Sequence, residues 1–186
     1  MDVRSAIRTR RSHKQFTGAP LPDAVLTELV ELATWAPNHR LTEPWRFAVV
    51  RHERLPALLH AIEHGLRHEG GDEQKIAVQV QKAKTVLHGA GGVIALLRHT
   101  SPDDPILDRE DYAACACAMQ NMQLAAWEQG FGSFWSTGGH FVGRGLRGFW
   151  RAEPHDEVVG VLILGVPSGE MPAHRRKSPQ DLMYFV

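Results

Sequence analysis

Apolar positions along this chain change period several times, and each change marks an element. Val25, Leu26, Leu29, Val30, Leu32 and Ala33 recur at helical spacing. Pro20 and Pro22 punctuate the approach, and Asp23 places a negative charge where that helix begins. It must stop near Trp35, because Ala36 precedes Pro37 and is pushed out of the α region. Trp45–Arg51 then reads as a strand. The pattern next predicts a helix from about Arg54 to His68, with Pro56 in its first turn and Gly70-Gly71 as its stop. A more polar helix over Asp72–Leu87 follows, and then a buried strand over Gly91–Arg98. Pro105–Gln129 is a long helix and Phe131–Thr137 a short aromatic strand. Phe141–Arg151 is expected as one more helix. Glu157–Val166 is the strongest strand, apolar on both faces and therefore central in a sheet. At the start, Asp2–Arg10 reads as a short helix whose inner face is Val3, Ala6 and Ile7.

Two segments break the pattern. Ala113–Trp127 (AACACAMQNMQLAAW) is small and apolar nearly all round, which predicts burial on most faces and a place at a subunit interface. From Pro167 onward the chain has three prolines, the run HRRK and no periodicity, yet it ends Leu-Met-Tyr-Phe-Val. An ending that apolar is expected to dock, on a partner subunit. Helices and strands alternate without a strict βαβ rhythm, so the fold class is α+β, with helices on both faces of one sheet.

Composition narrows the function classes. The chain has 186 residues, 43% hydrophobic and 23% charged, which suits one domain, residues 1–186, with its own core. Net charge is zero, against a nucleic-acid binder or a polybasic membrane-surface protein. The N-terminus lacks the apolar stretch of a signal peptide, and no apolar run is long enough for a membrane span. Cys115 and Cys117 do not face each other on a helix, which suggests small core residues in a reducing cytosol. His60, His64 and His68 fall at four-residue spacing and would share one helix face. Without an HExxH pattern, a solvated face is the simpler reading, and no metal is expected.

No GxGxxG after a strand, no P-loop and no GxSxG elbow occurs. What stands out is two basic clusters in segments with no element of their own: Arg8, Arg10, Arg11 and Lys14 with Ser12 and His13, and Arg175, Arg176 and Lys177. Arg and Ser side chains on irregular backbone can close on a phosphate. Trp35, Trp45 and Trp135 flank the joints between elements, where a planar cofactor would find walls; core packing is the competing reading, above all for Trp45.

Several segments resemble the FMN-dependent nitroreductases. RTRRSHKQF is similar to that family's R-R-S-x-R/K-x-F start, and ATWAPNHRLTEPWRFAVV to its A-P-x-H/S-x-x-x-x-P-W-R-F segment. AMQNMQLAAWEQGFGSFW resembles its central helix and the strand after it, and VVGVLILGVPSGE its penultimate strand. The ordered set spans nearly the whole chain. With His39, it looks most like the short bacterial NAD(P)H nitroreductases.

The resemblance implies a three-layer α/β/α sandwich around a mixed, mainly antiparallel sheet, in an intertwined homodimer with the tail from about 167 to 186 wrapping the partner. It also implies FMN at the interface, with NAD(P)H as reductant. By motif, Arg10, Arg11 and Ser12 would hold the phosphate and ribityl chain, and Lys14 the pyrimidine edge. Trp35 and His39 would come from the opposite subunit. Trp135, Ser136 and Thr137 would run past the ring, and Arg175 and Lys177 would reach the phosphate. Hydride would pass through flavin N5 to a nitroaromatic, quinone or similar flat acceptor in a ping-pong scheme with no catalytic side chain. Other flavin chemistry on the same fold (dehalogenation, flavin breakdown) and a flavin binder with negligible turnover are the alternatives. Arg40 and Glu43 depart from the family's usual Asn and Gln and are assigned no role.

Overall fold

The computed structural model describes residues 1–70, 72–172 and 175–186. Gly71, half of the expected helix stop, and His174 of the HRRK run lie outside the described residues. Seven helices and four strands follow one another: α1 (Val3–Thr9), α2 (Asp23–Thr34), β1 (Trp45–Arg51), α3 (Leu55–His68), α4 (Glu73–Leu87), β2 (Gly92–His99), α5 (Pro105–Glu128), β3 (Gly132–Ser136), α6 (Gly139–Val142), α7 (Arg147–Trp150) and β4 (Asp156–Gly165). The Asp2 carboxylate caps α1 by accepting from the amides of Arg4 and Ser5. Asp72 caps α4 and Asp104 caps α5 in the same way, with Pro105 in the first turn of α5.

The four strands form one antiparallel sheet in the order β1-β2-β4-β3. Central β2 sends Val93, Ala95 and Leu97 to one side and Ile94 and Leu96 to the other, the period-2 alternation of a strand buried on both faces. The first side packs under α3, α4 and α6–α7 through Leu58, Ile62, Ala83, Leu87, Phe141 and Trp150. The second packs under α2 and α5 through Leu26, Leu29, Ala33, Cys115, Met119 and Met122. The result is a three-layer α/β/α sandwich. Leu58 and Met119 have no exposed surface, and burying a side chain of that size contributes about 1.5–3 kcal/mol.

Three expectations change. The helix over Phe141–Arg151 breaks into α6, a 3₁₀ turn at Arg144–Leu146, and α7. The turn lets the backbone of Gly145 lie against Gly65 of α3, where a Cβ on Gly145 would sit 2.6 Å from the Gly65 Cα; a continuous helix could not approach so closely. On α1 only Ala6 is buried, while Val3 and Ile7 are exposed, because one short amphipathic turn on α5 covers a narrow stripe. The α5 helix is buried along one side only; Ala113 and Cys117 face outward. Residues 175–186 are exposed throughout this chain, with Tyr184 and Phe185 almost fully so. The second and third surfaces are apolar and lack a cover within one chain.

Candidate functional site

The two outer strands leave β3 at one edge of the sheet, and the basic N-terminal loop covers the start of that edge. Ser12 forms a parallel bridge to Ser133, and the His13 amide donates to the Ser133 carbonyl at 2.9 Å. The loop then passes Pro167, where Phe16 forms an antiparallel bridge and the Thr17 amide donates to the Val166 carbonyl. Gly132 admits this crossing, since a Cβ there would meet the His13 ring at 2.9 Å.

The anchoring extends to α5. His13 stacks on Trp127 with ring centres 5.3 Å apart, and the Trp127 indole N–H donates to Thr9 Oγ1 at 2.8 Å. Arg10 is half-buried and donates to Gln123 Oε1 at 3.4 Å. Burial, Arg11 and Arg176 together push the Arg10 guanidinium below its ordinary value. Arg176, from the C-terminal segment, is near enough to Arg10 for its charge to be felt there. Arg175 and Lys177, which the motif resemblance names, flank it on the same exposed segment. Among the described residues, Arg10 and Arg176 make no ion pair. Arg11 is folded back, donating to the carbonyls of Arg8 and Arg10. Beside this cluster, His13 Nε2 and Ser133 Oγ are enclosed without a partner among the described residues.

Lys14 stands on the other side of the edge. Its Nζ lies 4.6 Å over the Phe134 ring, and it lines a cavity of about 600 Å³ with Phe16, Gln81, Lys84 and Thr85. Phe134 and Trp135 point to opposite faces of β3. Trp135 packs on Gly160, where a Cβ would come within 2.0 Å of its Nε1, at the bulge that leaves Val159 unpaired with β2. Ser136 is buried, and its Oγ accepts from the Gly138 amide at 3.3 Å; Thr137 is exposed.

Trp35 and His39 lie elsewhere. Trp35 ends α2 and is 77% exposed, and His39 Nε2 is 3.9 Å from Glu110. The link between them and β1 holds three non-glycine residues in the left-handed region: Arg40 (φ 56°), Leu41 (φ 52°) and Glu43 (φ 45°). Such residues cost of order 1–3 kcal/mol each and persist where surrounding bonds hold them. Here Asn38 Oδ1 accepts from the Glu43 amide at 3.0 Å, and Thr42 Oγ1 donates to buried Asp111 at 2.6 Å. Trp45 and Phe47 join the core beyond. Glu110 and Gln123 are 13 residues apart on α5, so the Trp35–His39 end and the Arg10 end are separated by about 20 Å within one chain.

Sequence reading missed Gln123 and Ser133, and named His13 only as part of the basic cluster. Gln123 carried a signal, a polar residue on an otherwise apolar helix. Ser133 had none before the loop met the strand. His60, His64 and His68 are exposed on α3, with His64 and His68 stacked at 6.4 Å. No helix among the described residues is long and apolar enough to cross a membrane.

The model of the Nitroreductase family matches residues 7–166. The chain is 31% identical over 180 residues, 95% of its length and 90% of the relative's, to "Putative NAD(P)H nitroreductase YfhC" of Bacillus subtilis. It superposes with a TM-score of 0.89 and 27% identity on a nitroreductase-like family protein of Bacillus cereus, covering 100% of this chain and 96% of that one. The FMN and NADPH-dependent nitroreductase NfnB of a sphigopyxis strain shares the fold at 20% identity, with a TM-score of 0.78 over 100% of this chain and 99% of NfnB. A match that extends over most of the chain, with the basic loop, the link before β1 and the strand β4 all inside it, shows that the chain belongs to the nitroreductase family.

Proposed function

We propose that the protein is a cytosolic, homodimeric FMN-dependent oxidoreductase that uses NAD(P)H to reduce a nitroaromatic, quinone or similar flat acceptor. The observation that carries the reading is the meeting of Arg10, Arg11 and Arg176 beside Ser12, with no carboxylate paired to Arg10 or Arg176 among the described residues. Arg10 is half-buried, and burial first, then the charges of Arg11 and Arg176, hold its guanidinium below the ordinary value. A dianionic phosphate is the group that turns this repulsion into charge-assisted bonding. The residues therefore fit FMN.

Bound there, FMN supplies reversible hydride chemistry between NAD(P)H and the acceptor in a ping-pong cycle. The chain's own residues bind and orient it. Arg10, Arg11, Ser12, Arg175, Arg176 and Lys177 hold the phosphate and ribityl end. Lys14 keeps a positive charge where the pyrimidine edge gathers negative charge on reduction. Trp135, Ser136 and Thr137 border the ring along the edge of β3.

The dimer reading follows from separation. Trp35 and His39 stand about 20 Å along α5 from Arg10, too far to close on one end of the cofactor from the same chain. A second copy packed on the open side of α5, where Ala113 and Cys117 face outward, supplies them. The apolar tail then covers the partner. The purified protein is expected to be yellow with flavin absorbance bands that bleach on anaerobic addition of NADH or NADPH. A colourless protein that takes up no added FMN would overturn the reading.

A further inference from the structure

A second cavity, of about 640 Å³, opens between α4 and the residues just past β3. Its walls include Val78, Gln79 and Lys82 from α4 and Gly138, Gly139 and His140. Lys14 sits on Phe134, and Gly138 is four residues further along an extended chain, about 13 Å away. The cavity therefore lies past the ring-bordering residues, at the opposite end of the β3 edge from Lys14.

The neutral hydrogen-bonding side chains there are Gln74 and Gln79 from α4 and His140, the one that comes from the segment past β3. Its ring lies on Gly138, where a Cβ would meet Cε1 at 2.7 Å, and against Phe141 at 4.5 Å between ring centres. That clamp fixes its orientation. Among the described residues Nε2 is enclosed with no partner, and Nδ1 is not one of the enclosed, unpartnered atoms. The facing charges are Asp72, Lys75 and Lys82 along α4 and Glu69 at the end of α3. Burial first, and Lys82 second, hold the imidazole below its ordinary value, so it stays neutral near pH 7. A neutral ring with its proton on Nδ1 presents a donor to the cavity and avoids enclosing an unpaired N–H.

We propose that this cavity is the acceptor site and that His140 Nδ1–H is the hydrogen bond that selects flat molecules bearing an exposed oxygen, the nitro or quinone oxygen. The inference rests on the flavin reading above and adds to it the residue that recognises the acceptor. Lys82 beside the ring places positive potential near the same oxygen, in the sense that favours charge developing on it.

The test is binding by the oxidised, FMN-loaded protein, which needs no turnover. Nitrobenzene and cumene have nearly the same shape, but only nitrobenzene accepts hydrogen bonds. Calorimetric titration is expected to show nitrobenzene bound more tightly, and His140→Leu to cut that preference roughly three- to tenfold. His140→Gln, which keeps an N–H donor, should restore part of it. The His140 Nδ1 resonance in ¹H–¹⁵N spectra should move with nitrobenzene and stay still with cumene. Equal affinities in wild type, an unmoved resonance, or a Gln variant no better than Leu would overturn the proposal. So would variants that lose FMN while the wild type keeps it, since His140 would then be structural. A wild type that binds no FMN instead defeats the flavin reading, which absorbance reports before any titration.

Discussion

The amide of His13 donates to the carbonyl of Ser133 at 2.9 Å, and that bond ties the basic loop to the free edge of the sheet. Everything proposed for the phosphate end depends on it. The loop has no helix or strand of its own, so Arg10, Arg11 and Ser12 take their positions from β3 and from the Trp127 stack rather than from local propensity.

Removing the side chains of Arg10 and Ser12 together should weaken FMN retention. Each charge-assisted bond contributes about 1.5–3 kcal/mol, so the double alanine variant should bind FMN at least tenfold more weakly. Flavin absorbance after dialysis checks this. Unchanged affinity would place the phosphate elsewhere.

Truncation after Met171 should harm dimer and flavin together. Tyr184 and Phe185 have no cover within one chain, and Arg176 joins the Arg10 cluster. Sedimentation velocity with simultaneous detection at flavin wavelengths reads both. A truncated chain that still sediments as a flavin-loaded dimer contradicts the wrapping tail.

Stability should fall on mild acidification. His13 and His140 are held below the ordinary histidine value, mainly by burial and further by Arg10 and Lys82 respectively. Above pH of about 6.5 both are neutral folded and unfolded, and neither contributes. As pH drops through that value the unfolded chain takes up protons that the folded chain refuses, so unfolding is favoured until the lowered folded values are reached. The urea midpoint should be lower at pH 5.5 than at 7.5, and His13→Gln should shrink the difference. An identical midpoint at both pH values would show that the two rings titrate normally.

Gly145→Ala should destabilise the fold without touching the basic loop. Its new methyl would lie 2.6 Å from the Gly65 Cα, and neither backbone can yield cheaply. Forcing α3 from the 3₁₀ turn should cost about 1–3 kcal/mol, read as a lower urea midpoint. A wild-type midpoint would mean the crossing is looser than its geometry.

Much of the protein follows from sequence alone. Period and punctuation predict α2, the strands and the long α5, because amphipathic repeats and proline stops act within a few residues. The same is true of the two basic clusters and of the overloaded link before β1. Three things needed the tertiary structure. The break at Gly143–Gly145 comes from a close helix approach, and no local signal encodes a partner backbone. That the charge of Arg176 is felt at Arg10 depends on the path of a non-periodic segment, which no local pattern encodes. The sequence marks one side of α5 and the tail as surfaces to be buried at an interface; only the tertiary structure shows that one chain leaves both uncovered, because apolarity does not say which elements will lie over a surface.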